Sequence, residues 1–276
     1  MKPRPLCERG RENHALIHHL SLIWQVCAYV NDIIAHSKQT EAKYMADPNY
    51  LANMQSTSGL ATRHRVSLID WTTEVHRKFK TLRQETLFLA INIIDRLLSK
   101  RQVAKDKLQL VGATCLLIAS KMEDMWPPLV RDLVYVASNA FTKADLKKME
   151  RTVCNAIRFE IVVPTVAPFL ARFSKAAQLD STGKKLALYI VELGQHDYGN
   201  LKYPPSMMAA ASVCLAQKMR NGGSWSSACA ATSTYTEAQI MPCMKDINAL
   251  VTAPPAEMKA VRNKHSAVNG AKPVVL

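Results

Sequence analysis

His64-Arg65-Val66-Ser67-Leu68-Ile69-Asp70-Trp71 opens the stretch that decides the fold. Glu74-Val75-His76-Arg77-Lys78-Phe79, Glu85-Thr86-Leu87, Ile94-Asp95-Arg96-Leu97-Leu98, Leu108-Gln109-Leu110-Val111-Gly112, Ala119-Ser120-Lys121 and Pro127-Pro128 continue it. Leu68, Ile69, Trp71, Thr72, Val75 and Phe79 fall on one helical face, and almost no period-two alternation of a half-buried strand appears, so the chain reads as all-α. Leu87 to Leu98 make a second helix, Lys105 to Lys121 a third, Leu129 to Ser138 a fourth and Thr142 to Arg158 a fifth. Thr142 is placed as an N-cap, with Asp145 in the capping-box position that covers the orphan amides.

Upstream, an apolar stretch from about Ala15 to Ala35 predicts an amphipathic helix, followed by a polar connector around Ala46 to Arg63. Downstream of Pro164 the helix count recurs, with candidates at Val166 to Leu179, Lys184 to Asp197, Pro205 to Arg220, Ser224 to Ala231 and Thr236 to Leu250. Ala119-Ser120-Lys121-Met122 is echoed by Ala216-Gln217-Lys218-Met219, and Phe141-Thr142 by Tyr235-Thr236. Both third helices carry small residues (Gly112, Ala113 and Ala119; Ala209, Ala210, Ala211 and Ala216) that let neighbours approach the axis, as a central helix requires. The expected organisation is an N-terminal region with one helix (1–63), a first five-helix bundle (64–162), a second (163–255) and a C-terminal tail (256–276) that packs loosely or extends.

The chain has 276 residues, 48% apolar and 21% charged, within the range of ordinary globular proteins. Its seven cysteines are widely spaced with no C-x-x-C pair, which suits buried thiols in a reducing compartment better than a disulfide frame or zinc site. No signal peptide or membrane-spanning run is visible, so the expected location is nucleus and cytoplasm. The formal charge of +14 sits in clusters such as Lys143-Lys147-Lys148-Arg151 that are not interleaved with aromatics, which speaks against a single-strand stacking platform and for an acidic partner. No phosphate loop, dinucleotide fingerprint, H-E-x-x-H or G-x-S-x-G occurs, so no enzyme activity and no cofactor is expected. His14, His18 and His19 stand at helical spacing but lack a carboxylate or thiolate to complete a metal site, so no metal is expected there.

The ordered motifs from Arg65 to Pro128 resemble the cyclin box of mitotic, B-type cyclins. The resemblance is weaker to Thr165 and patchy afterwards, through Tyr203-Pro204-Pro205 and Ser224-Trp225. It implies two tandem cyclin-like bundles and a regulatory subunit that binds and activates a cyclin-dependent Ser/Thr kinase, at G2/M. On that resemblance Lys121 and Glu150 grip kinase backbone groups, with Ile118, Met122, Glu123, Asp124, Cys154, Phe159 and Ile161 around them. Lys218 is retained in the second repeat but Met244 stands where Glu150 maps, so only the first box is expected to bind this way.

Arg65 and Asp95 are implied to be a structural ion pair, a guanidinium ahead of the first helix tied to a carboxylate late in the second. The family's substrate-docking patch is matched by Leu68, Trp71, Glu74, Leu108 and Gln109, but His64 and Ser67 replace its Met and Ile. Each lost apolar surface removes on the order of 1–3 kcal/mol if well covered by ligand, so docking of basic-x-Leu peptides, whether from substrates or inhibitors, is expected to be weak or altered. Neither Arg9 nor Arg11 begins an Arg-x-x-Leu destruction signal, and no Ser-Pro or Thr-Pro is present. The rival reading, a transcription-initiation factor whose two cyclin-like repeats clamp promoter DNA, would use the positive charge but calls for a zinc ribbon and base-reading residues that are not visible.

Overall fold

A computed structural model describes residues 29–266, and among these every regular element is helical. The predicted stretch from Ala15 and the His14, His18 and His19 group fall largely or wholly outside the described residues. Helix α1 (Val30–Thr40) belongs to a separate N-terminal unit and buries none of its residues.

Everything from Thr40 onward forms one unit. The predicted connector contains a short helix, α2 (Tyr50–Asn53), because Tyr50 is fully buried and its hydroxyl donates to Asp95 Oδ1 at 3.1 Å. The first bundle follows as α3 (Thr62–Lys78), α4 (Gln84–Lys100), α5 (Leu108–Glu123), α6 (Val130–Val136) and α7 (Lys143–Ala156). The second comprises α8 (Val166–Ala176), α9 (Ser181–His196), α10 (Pro205–Asn221), α11 (Ser227–Ser233) and α12 (Glu237–Thr252).

Helix α5 is enclosed by α3, α4 and α7, and α10 by α8, α9 and α12. Small residues make this possible. A Cβ on Gly112 would stand 2.8 Å from Leu68 Cδ1 and 2.9 Å from Thr72 Oγ1, closer than packed atoms tolerate, so α3 crosses α5 where a glycine admits it. In α10, Ala209, Ala210, Ala211 and Ala216 are all fully buried. Thr142 accepts from Asp145 N while the Asp145 carboxylate reaches back to Thr142 N at 2.9 Å, closing the start of α7.

Two expectations need correction. Arg65 lies inside α3 rather than ahead of it, since the helix starts at Thr62, where the His64 ring nitrogen accepts from Ala61 N at 2.9 Å. Of the predicted tail, the described part up to Ser266 does not pack loosely: α13 (Lys259–Lys264) follows the fully buried Met258 and itself buries Ala260 and Val261. Ala260 N donates to Asp70 Oδ1 at 2.8 Å, and Lys264 Nζ reaches Glu192 Oε1 at 2.9 Å and Gln84 Oε1 at 2.7 Å. The sequence hid this because a short helix with two apolar residues has no periodicity to read, whereas its partners lie on α3, α4 and α9.

Candidate functional site

Lys121 sits on the last turn of α5 and Glu150 midway along α7, and packing of these helices lets Lys121 Nζ donate to Glu150 Oε1. The side chains are 49% and 23% exposed, so the pair faces water and contributes only about 0–1 kcal/mol to stability. It can be opened at little cost. Cys154, one turn beyond Glu150, is buried, and burial followed by the nearby Glu150 carboxylate pushes its thiol pKa up.

Phe159 stands in the turn that ends α7. Its amide donates to Cys154 O at 2.8 Å, and both Arg158 and Phe159 have φ of 56°. A left-handed conformation is uncommon for a bulky residue and costs on the order of 1–3 kcal/mol. The chain adopts it with the Phe159 ring 67% exposed. Met122 is also exposed, and Ile161 is half-buried against the first core.

Three predicted contacts sit differently. Ile118 is 3% exposed and belongs to the core, because α5 is enclosed on the side it faces. Asp124 caps α4 from a distance: Oδ1 accepts from Arg83 N at 2.8 Å and Oδ2 from Thr86 Oγ1 at 2.7 Å, so both oxygens are committed. Glu123 is half-buried, and burial raises its pKa. Sequence reading missed Met125, Trp126 and Leu129, which are exposed beside this end of α5. The available signal was large apolar residues flanking Pro127-Pro128, where no helix could turn them inward.

Arg65 and Asp95 form a bidentate pair, Nε to Oδ1 at 2.7 Å and Nη2 to Oδ2 at 2.8 Å, with almost no exposure. Arg65 Nη1 also donates to His196 O at 2.8 Å and Nη2 to Gln195 O at 3.1 Å. Burial disfavours the guanidinium charge, but Asp95 outweighs it and the Arg65 pKa is raised. The pair therefore joins the first bundle to the end of α9 as well as α3 to α4, which sequence spacing could not show.

Leu68, Trp71, Leu108 and Gln109 line one groove between α3 and α5, together with His64, Ser67 and Lys105. Glu74 does not line it. It lies one turn past Trp71, and both carboxylate oxygens are held by Arg77, at 2.9 and 3.1 Å.

In the second bundle Lys218 Nζ is paired, at 2.8 Å, with Glu237 at the start of α12, and Met244 is fully buried.

Two family descriptions match this chain: the cyclin N-terminal domain over residues 32–162 and the cyclin C-terminal domain over residues 164–272. The chain belongs to the cyclin family. It is 40% identical over 242 residues to the G2/mitotic-specific cyclin-B of Patella vulgata, covering 87% of this chain and 58% of that protein. It is 41% identical over 223 residues to Cyclin-B2-1 of Arabidopsis thaliana, covering 80% and 51% respectively. The chain thus spans little more than half the length of these relatives. A viral cyclin from herpesvirus saimiri shares the fold with a TM-score of 0.58 at 20% identity, covering 75% of this chain and 86% of that one.

Proposed function

We propose that this chain is the regulatory subunit of a cyclin-dependent Ser/Thr protein kinase acting at G2/M, with the first bundle as the kinase-binding face. The observation that carries the reading is the water-facing Lys121–Glu150 pair beside exposed Met122 and Phe159, in a chain about 40% identical to mitotic cyclins. A pair of weakly coupled charges can exchange its internal bond for backbone groups of a partner, and exposed apolar side chains beside it supply burial on association. Glu123 and Ile161 extend this face, with Cys154 and Ile118 packed beneath it. Asp124 supports it by capping α4.

The chain contributes no phosphoryl-transfer group in this reading; it is a non-catalytic subunit, needs no cofactor and works in nucleus and cytoplasm. An active kinase requires its strand Lys paired with a C-helix Glu. To move a kinase from about 1% to 99% competent, the cyclin must favour that state by about 5.5 kcal/mol, which a broad interface can supply. Protein substrates or inhibitors dock separately, at the α3–α5 groove. Nucleic acid and membrane are not partners in this reading.

The test is to mix the purified chain with candidate cyclin-dependent kinases and measure complex formation and histone phosphorylation. The expected result is a stable complex with stimulated turnover, both lost when Lys121 and Glu150 are charge-reversed. Unchanged co-purification and turnover in the reversed variant would falsify the assignment of this face.

A further inference from the structure

Where α4 meets the end of α9 and the start of α8, the two bundles leave a cleft of about 80 Å³. A water needs about 10–15 Å³ of such space, so the cleft admits the end of one side chain and not a folded segment. Phe88, Ile91, Val166, Leu201 and Met208 supply apolar walls. Much of the polar lining is already committed. Arg65 bonds Asp95 and the carbonyls of Gln195 and His196, and both Asp95 oxygens are taken by that pair. Asn92 Nδ2 donates to Tyr44 O at 3.1 Å, and the Tyr203 hydroxyl donates to Asp246 at 2.8 Å.

What is left over mostly accepts. Asn200 is 1% exposed and donates Nδ2 to Gly194 O at 3.1 Å, a bond that fixes which way its amide faces. Its Oδ1 is buried without a partner, as is Gln195 Oε1. Asp197 is half-buried, and its carboxylate makes no hydrogen bond or ion pair among the described residues. Arg65 and Asp95 cancel, so Asp197 makes the lining net negative in a chain whose formal charge is +14. The opposing donors are the Thr165 hydroxyl and the first amides of α8, and a helix end carries only about half a charge.

We propose that this cleft binds a cationic, hydrogen-bond-donating end group, an alkylammonium or alkylguanidinium, with its methylenes on Phe88, Ile91 and Met208 and its N–H groups facing Asn200 Oδ1 and Asp197. The group comes from a lysine or arginine side chain of a bound protein or from a free aliphatic amine. The site shares no lining residue with the α3–α5 groove or with the Lys121–Glu150 face. Its selectivity follows from satisfaction of acceptors: a buried amide oxygen that gains a donor recovers a hydrogen bond, whereas a ligand carrying an acceptor there leaves both oxygens unpaired. An apolar stem with a charged tip matches apolar walls that end in a carboxylate.

The experiment titrates the full ¹⁵N-labelled chain with n-butylammonium, N-acetyl-lysine amide or n-butyrate at constant ionic strength, and follows the Asn200 side-chain amide and the Gly194 backbone amide. The two cations are expected to give saturable shifts with Kd on the order of 1–10 mM, as a handful of heavy atoms allows, and butyrate none. Tighter binding of the lysine amide assigns the site to a protein side chain, and tighter binding of butylammonium assigns it to a free amine. Asp197→Asn keeps the shape and removes the charge, and should weaken the cations about twofold to fivefold. Ala46 lines the cleft from the half-buried connector, so Ala46→Leu should fill the space and abolish the shifts. Butyrate binding as tightly as butylammonium overturns the proposal, as does affinity unchanged in Asp197→Asn. Shifts confined to surface amides, with Asn200 and Gly194 unmoved, also overturn it. If Ala46→Leu fails to fold, Asp197→Asn and the butyrate arm decide alone.

Discussion

The two bundles end their central helices alike and use those ends differently. Lys121 on α5 pairs with Glu150 in the middle of α7, whereas Lys218 on α10 pairs with Glu237 at the start of α12. The loops that follow diverge in the same sense. Trp126 is 73% exposed, but Trp225 is 8% exposed, with its indole N–H donating to Tyr235 O at 2.9 Å and its amide to Glu237 Oε2 at 3.2 Å. Where the first bundle has a carboxylate at the surface, the second buries Met244. A repeated helix plan therefore does not repeat the surface at the end of its central helix. One loop is left apolar and open, and the other is folded in to complete a core.

The sharpest way to break this contrast is at the junction, where Asp95→Ala leaves the buried Arg65 charge unpaired. Because Arg65 also holds the end of α9, the loss of roughly 3–5 kcal/mol should lower the melting temperature of both bundles together. An unchanged thermal midpoint would reject the structural role of the pair. Next come the two tryptophans: Trp225→Ala should cost about 3–5 kcal/mol in denaturant unfolding, and Trp126→Ala should stay within about 0.5 kcal/mol. Equal costs would mean that the two loops are not different in kind.

On the binding side, Lys121→Ala is expected to weaken kinase association by about 2–5 kcal/mol by calorimetry. Lys218→Ala should leave that association unchanged and cost about 1 kcal/mol or less in stability. Equal losses of affinity would extend the face to the second bundle. Smallest is the packing contrast between two helical glycines. Gly112→Ala should lose about 1–3 kcal/mol through overpacking and perturb the emission of neighbouring Trp71. At Gly194 the nearest atom to an added Cβ is the Met208 sulfur, at 3.1 Å, a flexible group that can yield. There the helical gain of roughly 1 kcal/mol from alanine offsets the crowding, and near-equal midpoints for Gly194→Ala and the unaltered chain would show it.

Much of this was legible from residue pattern. Period 3.6 marked α3 to α12 within a few residues of their observed ends, since an amphipathic helix must place its apolar residues on one stripe. Thr142 with Asp145 marked the start of α7 because a capping box is local. The Lys218–Glu237 pair was missed because mapping by repeat pointed to Met244, and a lysine's reach depends on which helix end lies beside it. The bonds of Asp124 to Arg83 and Thr86 were not foreseen, because Arg83 and Thr86 stand at the start of another helix. Glu74 was placed in the groove by its motif, yet Arg77, one turn on, holds its carboxylate.

The amino-acid order by itself determined an all-helical chain with two bundles, small residues at each central helix and family membership through the motifs from Arg65 to Pro128. Those properties are set by neighbours a few residues apart along a helix. Only the tertiary structure decided that Arg65 bridges the bundles, that Met258 and α13 close against α3, α4 and α9, and that Trp225 is folded into the second bundle. Each depends on groups far apart in the chain, whose burial and charge balance exist only once the helices have packed.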